Sequence, residues 1–312
     1  MKRIIGKLLV FVLSFSIPLC AQQPGPPQQA MYAVLLGTGF PQPDPDRGGP
    51  SAAVIVGEKV FVVDAGRGAM QRLVGAGLEA KGVKAVFLTH MHSDHIDGLP
   101  DVFHGTWRTR GKNPFVLYGP EGTKKLVKGL MQFYDADIRI RRDMTEKLAA
   151  GGATIDLHIV HEGVVYKDDT VSVTAFLVDH FPVKPAFGYR FDSGGRSIVI
   201  SGDTYPCDNL VRFAKDADVL IHEAYLSQGG ASLQGTASSG TIQYEAWFKR
   251  YHSTAAEAGQ IAARAGVKLL VLTHLIGNRP GGNKEEAFRE EAGDHYHQTI
   301  LVGRDLMRID LP

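Results

Sequence analysis

Short apolar segments separated by glycine-rich or polar turns recur along the chain, a pattern typical of buried strands alternating with helices. The first half predicts strands over residues 31–36, 51–56, 59–63 and 83–88, and helices over 69–78 and 122–134. The second half predicts strands over 170–178, 187–191, 197–201, 218–221, 268–273 and within 299–310, and an alanine-rich helix over 253–265. Because strands are followed by helices in each half, we expect an α/β fold of two mixed sheets packed face to face, with helices outside.

The first 21 residues have the layout of a secretory signal peptide. Three basic residues precede an apolar run over residues 8–17, and Ala21 supplies a small residue at the expected cleavage point. The run is shorter than the roughly 20 residues that a membrane-spanning helix needs, so no membrane span is expected after cleavage. A lipid anchor on Cys20 and an uncleaved N-terminal anchor are the alternatives. The predicted location is therefore periplasmic or secreted.

Composition describes an ordinary globular chain. Residues 22–30 are rich in Gln, Pro and Gly and predict a flexible linker, which leaves residues 31–312 as one folded domain. The chain is 44% hydrophobic and 21% charged, which excludes a disordered or collagen-like protein. The net charge is +1, and loss of the three N-terminal basic residues would make it −2, so charge does not indicate a nucleic-acid partner. The cleaved chain would keep only Cys207 and form no internal disulfide.

Three histidines and an aspartate follow the predicted strand 83–88 within six residues: His90, His92, Asp94 and His95. Neutral imidazole and carboxylate groups are good zinc ligands. Side chains at alternate positions after a strand can point to the same side, so His90 and His92 are expected to share one metal. Asp94 and His95 begin the turn into a helix and can face a second metal. A polar loop of unrelated histidines is the alternative.

One segment cannot fill two metal sites, so further ligands are expected at other strand ends. His180, Asp203 and His274 each lie where an apolar segment meets a loop. Active sites on sheet scaffolds usually occupy such positions. Alone, each would be interpreted as a structural histidine or a turn aspartate; together with the first motif they favour metal binding.

This pattern resembles the metallo-β-lactamase superfamily, and within it the branch that contains tRNase Z and the zinc arylsulfatases. The residues that carry the resemblance to that branch are 187–191 (FGYRF), 220–224 (LIHEA), 251–254 (YHST) and 272–274 (LTH). The resemblance implies an αββα sandwich with the site along one edge. It also leaves a homodimer open, because this branch often dimerises.

The resemblance further implies two zinc ions, with manganese or iron as alternatives. One would be held by His90, His92 and His180 and the other by Asp94, His95 and His274, with Asp203 bridging them. Asp64 would support the ligands from behind. A hydroxide that bridges the metals would attack the ester, and Asp94 would orient it.

His252 is then expected to serve the leaving oxygen, with Glu223 holding its imidazole. Without the resemblance, His252 is interpreted as a histidine at a helix start and Glu223 as a buried ion-pair partner.

Several features argue against an RNA substrate. The span between Arg190 and Ser201 is too short for the tRNA-gripping arm that one type of tRNase Z carries there. Asp44 and Asp46 would repel a phosphate backbone, and Leu275 follows His274 where tRNase Z commonly has a serine. An exported enzyme would also not meet precursor tRNA.

The expected function is therefore an exported dinuclear zinc hydrolase of small phosphodiesters or sulfate esters, with nucleic acid disfavoured as a partner. The first alternative is a tRNA 3′-processing endoribonuclease. A β-lactamase-type hydrolase and a non-catalytic metal-binding protein are the others. Residues 227–241 are interpreted as a flap over the pocket or as a surface insertion.

Overall fold

The computed structural model describes residues 30–227, 249–277 and 284–312. The predicted signal peptide and nearly all of the predicted linker lie outside these ranges, as do residues 228–241 of the predicted flap. Within the described ranges no helix has the length and apolar character needed to span a membrane.

Two seven-stranded sheets pack face to face. The first contains β1 (Met31–Gly37), β2 (Ser51–Val56), β3 (Lys59–Val63), β4 (Val83–Phe87), β5 (Phe115–Gly119), β6 (Ile155–Ile159) and β14 (Arg308–Asp310), in the order β14-β1-β2-β3-β4-β5-β6. The second contains β7 (Gly163–Lys167), β8 (Ser172–Val178), β9 (Ala186–Ser193), β10 (Arg196–Ile200), β11 (Val219–Tyr225), β12 (Leu269–Ile276) and β13 (Thr299–Val302), in the order β13-β12-β11-β10-β9-β8-β7. The predicted αββα sandwich of mixed sheets is confirmed.

Helices cover the outer faces of both sheets. They are α1 (Ala69–Gly75), α2 (Ser93–Ile96), α3 (Leu99–Arg110), α4 (Thr123–Phe133), α5 (Asp135–Arg139), α6 (Asp208–Ala214), α7 (Ala255–Ala265) and α8 (Glu285–Gly293), with short 3₁₀ or π turns at Ala80–Gly82, Ile140–Met144 and Ala150–Ala153. Buried residues of α1, α3 and α4 pack on the first sheet, and those of α6, α7 and α8 pack on the second.

The central core lies between the sheets and is rich in aromatic rings. Phe61 and Phe87 of the first sheet contact Tyr189 and Phe191 of the second, with ring centroids 5.3–6.0 Å apart across the interface. Such large buried side chains contribute most of the hydrophobic stabilisation in a sandwich. The core fixes one sheet against the other, and therefore fixes the residues at their shared edge.

Some elements differ from the expectation. The segment 299–310 forms two strands, β13 and β14, which belong to different sheets. Strands β5, β6 and β7 were not expected. Strands β6 and β7 are each the outermost strand of a sheet and contain only half-buried and exposed positions. An edge strand of this kind has few buried apolar residues to reveal it.

Candidate dinuclear metal site

The histidine motif occupies the turn from β4 into α2. The strand ends at Phe87, and helix α2 begins at Ser93, so His90 and His92 lie in the connection while Asp94 and His95 lie in the first helical turn. His90, Asp94 and His95 are buried, with at most 3% of each residue exposed. These polar side chains are thus shielded from bulk solvent at one edge of the sandwich.

The first cluster joins this turn to the second sheet. Nδ1 of His92 lies 3.0 Å from Nε2 of His90 and 3.1 Å from Nε2 of His180, which follows β8. Oδ2 of Asp203, just beyond β10, lies 3.7 Å from Nε2 of His90. All four residues offer a ligand atom within 4.8 Å of one another.

The second cluster contains Asp94, His95 and His274. Oδ2 of Asp94 is 3.7 Å from Nε2 of His95 and 3.4 Å from Nε2 of His274. Oδ2 of Asp203 is 3.3 Å from His95 Nε2 and 3.4 Å from His274 Nε2. The same oxygen of Asp203 therefore faces both clusters.

His274 reaches the site through an irregularity in its strand. The register between β11 and β12 shifts so that Glu223 pairs with Thr273 and Ala224 pairs with Leu275, leaving His274 without a partner in the ladder. Its φ angle is 47°, in the left-handed region, and Asp64 has a φ angle of 57°. Strained backbone of this kind is concentrated at functional sites, where surrounding structure enforces it.

The two clusters fit divalent metal ions. Ligand atoms about 2.0–2.2 Å from a tetrahedral ion lie about 3.3–3.6 Å from one another, close to the separations observed. Within the described part of the chain, Oδ2 of Asp94, Nε2 of His95 and Nε2 of His274 are buried without a hydrogen-bond partner. Buried polar atoms are rarely left unpaired, and metal ions would satisfy all three. The His and Asp clusters thus fit a dinuclear metal site.

Asp64, directly after β3, supports both clusters from behind. Its carboxylate accepts hydrogen bonds of 2.8 Å each from the backbone N–H of Thr89, the hydroxyl of Thr89 and Nδ1 of His95. The Thr89 hydroxyl also lies 2.9 Å from Nδ1 of His90. Similarly, Nδ1 of His180 donates to the carbonyl of Tyr251 at 2.8 Å. In His90, His95 and His180 these contacts place the ring proton on Nδ1 and leave Nε2 available to a metal ion.

Burial and crowding set the charges of the ligands. Burial lowers the pKa of His90 well below its usual value, and nearby His95 lowers it further. Burial also opposes charge on His95, but Asp203 and Asp64 outweigh it and raise the pKa of His95 well above its usual value. The carboxylates thus attract positive charge into a site where neighbouring imidazoles cannot all hold protons. A bound cation supplies that charge.

Glu223 and His252 form a buried pair beside the clusters. Oε2 of Glu223, on β11, lies 2.7 Å from Nδ1 of His252, and Oε1 accepts a 2.6 Å hydrogen bond from the backbone of Thr204. The His252 ring is 5.1 Å from that of His180 and 5.5 Å from that of His274. The chain is held here because Thr254 caps α7 through a reciprocal capping box.

Desolvation disfavours charge on both members of this pair. Burial, followed by nearby Asp203, raises the pKa of Glu223 well above its usual value. Burial lowers the pKa of His252 to about 3. The setting therefore disfavours an ion pair, and the 2.7 Å contact between Oε2 of Glu223 and Nδ1 of His252 fixes the orientation of the imidazole.

The structure brings together every residue that the sequence proposes for the site. The residues are His90, His92, Asp94, His95, His180, Asp203, Glu223, His252 and His274. Sequence reasoning missed Thr89, although it directly precedes His90. It also missed the carbonyl of Tyr251, because a backbone acceptor leaves no mark in the sequence.

Comparison with known proteins identifies the relatives. A family model described as a β-lactamase superfamily domain matches residues 59–275. Ribonuclease Z of Mycobacterium bovis and that of Mycobacterium marinum are each 38% identical to this chain over 280 residues, covering 89% of this chain and 97% of the relative.

Solved structures show the same fold. A metallo-β-lactamase fold protein from Bacillus subtilis matches with a TM-score of 0.67 and 20% identity, covering 90% of this chain and 99% of that one. The short form of human tRNase Z matches with a TM-score of 0.66 and 23% identity, covering 90% of this chain and all of the other.

These relatives overturn the expected function. The prediction of an exported hydrolase of small phosphodiesters or sulfate esters is wrong, because ribonucleases Z match nearly the whole domain, and the likeness to arylsulfatases finds no support. The loop aspartates do not outweigh this relationship, and Asp44 also has a local structural role, since its Oδ1 accepts a 2.9 Å hydrogen bond from the Asp46 backbone.

The predicted periplasmic or secreted location is contradicted by the same relatives. That prediction depended on residues 1–21 alone, a short local pattern, whereas the relationship extends over 89% of the chain.

Proposed function

This chain belongs to the metallo-β-lactamase superfamily, in the branch of ribonuclease Z, and we propose that it is a metal-dependent endoribonuclease that removes the 3′ trailer of precursor tRNA. The observation that carries the proposal is the 38% identity to ribonucleases Z across nearly the full length of both chains. The site contains the groups that phosphodiester hydrolysis requires, which supports the proposal independently.

We assign the ligands by cluster. His90, His92 and His180 would hold one ion, Asp94, His95 and His274 would hold the other, and Asp203 would be shared between the two. Zinc is the metal we propose, because imidazole and carboxylate ligands at these separations suit a four-coordinate ion, with manganese and iron as alternatives. When bound, two such ions supply Lewis acidity and lower the pKa of water toward neutrality.

The protein's own side chains orient the attacking water and protonate the leaving oxygen. Asp94 has a second carboxylate oxygen with which to position the attacking water. Water adds to phosphorus and releases one proton to solvent as the bond from phosphorus to the leaving oxygen breaks, and the departing oxygen requires a proton. We assign that proton to the Glu223–His252 pair: His252 gives one to the leaving oxygen while its Nδ1 receives one from Glu223.

The RNA is gripped without an arm between β9 and β10. These strands form a tight hairpin through Gly194 and Gly195, and residues 191–200 add no helix or extension. Contacts with the RNA must therefore come from other parts of the chain than this hairpin. A homodimer stays a prediction, and light scattering coupled to size-exclusion chromatography tests it.

The direct test is cleavage of a precursor tRNA carrying a labelled 3′ trailer by metal-quantified protein. We expect release of the trailer as one fragment, loss of cleavage on chelation, and recovery on addition of zinc. If the protein hydrolysed bis-p-nitrophenyl phosphate but cleaved no precursor tRNA, it would still be a phosphodiester hydrolase, but the proposed RNA substrate would be rejected.

A further inference from the structure

An exposed aromatic residue directly follows one of the proposed ligands of the first metal cluster. Phe181 follows His180 in the chain, and 49% of it is exposed. Its loop begins at His180 and returns to the histidine motif, where the N–H of Phe187 donates to the carbonyl of Thr89 at 2.9 Å. Both ends of the loop are thus tied to residues of the site.

The loop is short and restrained. The N–H of Val183 donates to the carbonyl of His180 at 2.8 Å, which closes a turn around Phe181. Pro182 and Pro185 restrict the backbone further, because proline fixes its own φ angle. The ring of Phe181 is therefore presented from a constrained turn, and little entropy is lost when a ligand packs on it.

A positive charge accompanies this ring. Nζ of Lys184 lies 5.7 Å from the centroid of the Phe181 ring, within the range of a cation–π contact. Lys184 is itself exposed. An aromatic face next to a cation matches a nucleotide, which offers a flat base beside a negatively charged phosphate.

A second exposed ring lies on the adjoining segment. Tyr205 comes two residues after Asp203 and is 40% exposed. Its N–H donates to the carbonyl of Asp179 at 2.6 Å, so its segment runs beside the one that carries His180 and Phe181. The segments that supply two proposed metal ligands thus each present an aromatic side chain to solvent.

We propose that Phe181, with Lys184 and Tyr205, forms a stacking platform for the base of a nucleotide next to the scissile phosphate. The inference rests on the proposed function, since it assumes single-stranded RNA at the site. The Phe181 ring would stack on the base, Lys184 would pair with the adjoining phosphate, and Tyr205 would bound the platform. Sequence-tolerant stacking of this kind suits trailers of varied sequence.

The first experiment compares F181A, F181W and F133A in cleavage of precursor tRNA. Phe133 is 79% exposed at the C-terminal end of α4, on the outer face of the first sheet, and is the matched control. Loss of base stacking costs about 5- to 150-fold. We expect F181A to raise the KM for precursor tRNA by that factor with kcat nearly unchanged. F181W keeps an aromatic ring and should have a KM close to that of the parent. Parental KM in F181A would overturn the platform while leaving the ribonuclease assignment intact.

The second experiment identifies the base. RNA that carries a single abasic site on either side of the scissile phosphate should raise the parental KM at one of the two positions. F181A should add no further loss on that RNA, because the ring has no base to stack on. If F181A raised KM further on each of the two abasic RNAs, the contact between Phe181 and a base next to the scissile phosphate would be rejected.

Binding decides the question even if no RNA is cleaved. Single-stranded RNA labelled with 2-aminopurine loses fluorescence when the base stacks on an aromatic ring. Quenching by the parent and by F133A, but not by F181A, would support the platform whatever becomes of the proposed reaction. Equal quenching by the parent, F133A and F181A, or no quenching by any of the three proteins, would overturn the proposed platform.

Discussion

Replacing Asp64 with asparagine should weaken metal binding in both clusters, although Asp64 is not itself among the proposed ligands. Its carboxylate holds His95 of the second cluster directly, and holds His90 of the first cluster through the hydroxyl of Thr89. The substitution preserves shape and volume. It changes one acceptor oxygen into an NH₂ group, which can only donate.

The size of the effect follows from these contacts. Oδ2 of Asp64 accepts hydrogen bonds from both the Thr89 hydroxyl and Nδ1 of His95. An NH₂ group at that position cannot accept either bond, because it is itself a donor. Loss of such an orienting partner typically costs 10- to 100-fold in metal affinity, or about 1.4–2.7 kcal/mol. We expect D64N to fall within this range for both ions.

The assay is competition for zinc against a chromophoric chelator, with thermal unfolding measured in parallel. The matched control is D168N, since Asp168 also accepts several hydrogen bonds, from Lys59, Tyr166 and Thr170, but touches none of the proposed ligands. D168N should lose stability and keep its zinc affinity. Unchanged zinc affinity in D64N, or an equal loss in both variants, would refute the reasoning about orientation.

Three further outcomes are expected. H252A should keep both metals, and its kcat on RNA should fall by about 10²- to 10⁴-fold. The fall should be smaller on a p-nitrophenyl ester, because that leaving group needs no proton. Equal losses on both substrates would contradict a role for His252 in proton donation. Calorimetry should show a lower Tm after chelation, because metal at 1,000 times its Kd stabilises by about 4 kcal/mol; an unchanged Tm would exclude a structural contribution. Burial raises the pKa of Asp218, but hydrogen bonds from Lys268 and Ser197 outweigh it and leave the pKa below its usual value. D218N should therefore be less stable than the parent near pH 7 in urea unfolding, and the gap should close as the pH falls through the folded pKa; a gap independent of pH would reject this sign.

The sequence predicted the proposed ligands because each follows a run of buried apolar residues, and the structure brings His180 and His274 to the histidine motif from distant positions. It could not reveal the bulge that turns His274 toward the site, since a register shift depends on the neighbouring strand. The edge strands β6 and β7 were missed because they have no fully buried apolar residues. The substrate was misjudged because a short N-terminal pattern and two loop aspartates were given more weight than the domain as a whole.

The division of ligands between the sheets has a consequence for folding. His90, His92, Asp94 and His95 follow β4 of the first sheet, whereas His180 and Asp203 follow strands of the second sheet and His274 lies in one of them. Neither half can complete a binding site alone, so a bound ion acts as a cross-link between two halves that are distant in sequence. A cross-link that closes a long loop removes much of the conformational entropy of the unfolded chain. Zinc affinity would thus report the docking of the two halves, and a substitution deep in their shared core would be visible as weaker metal binding.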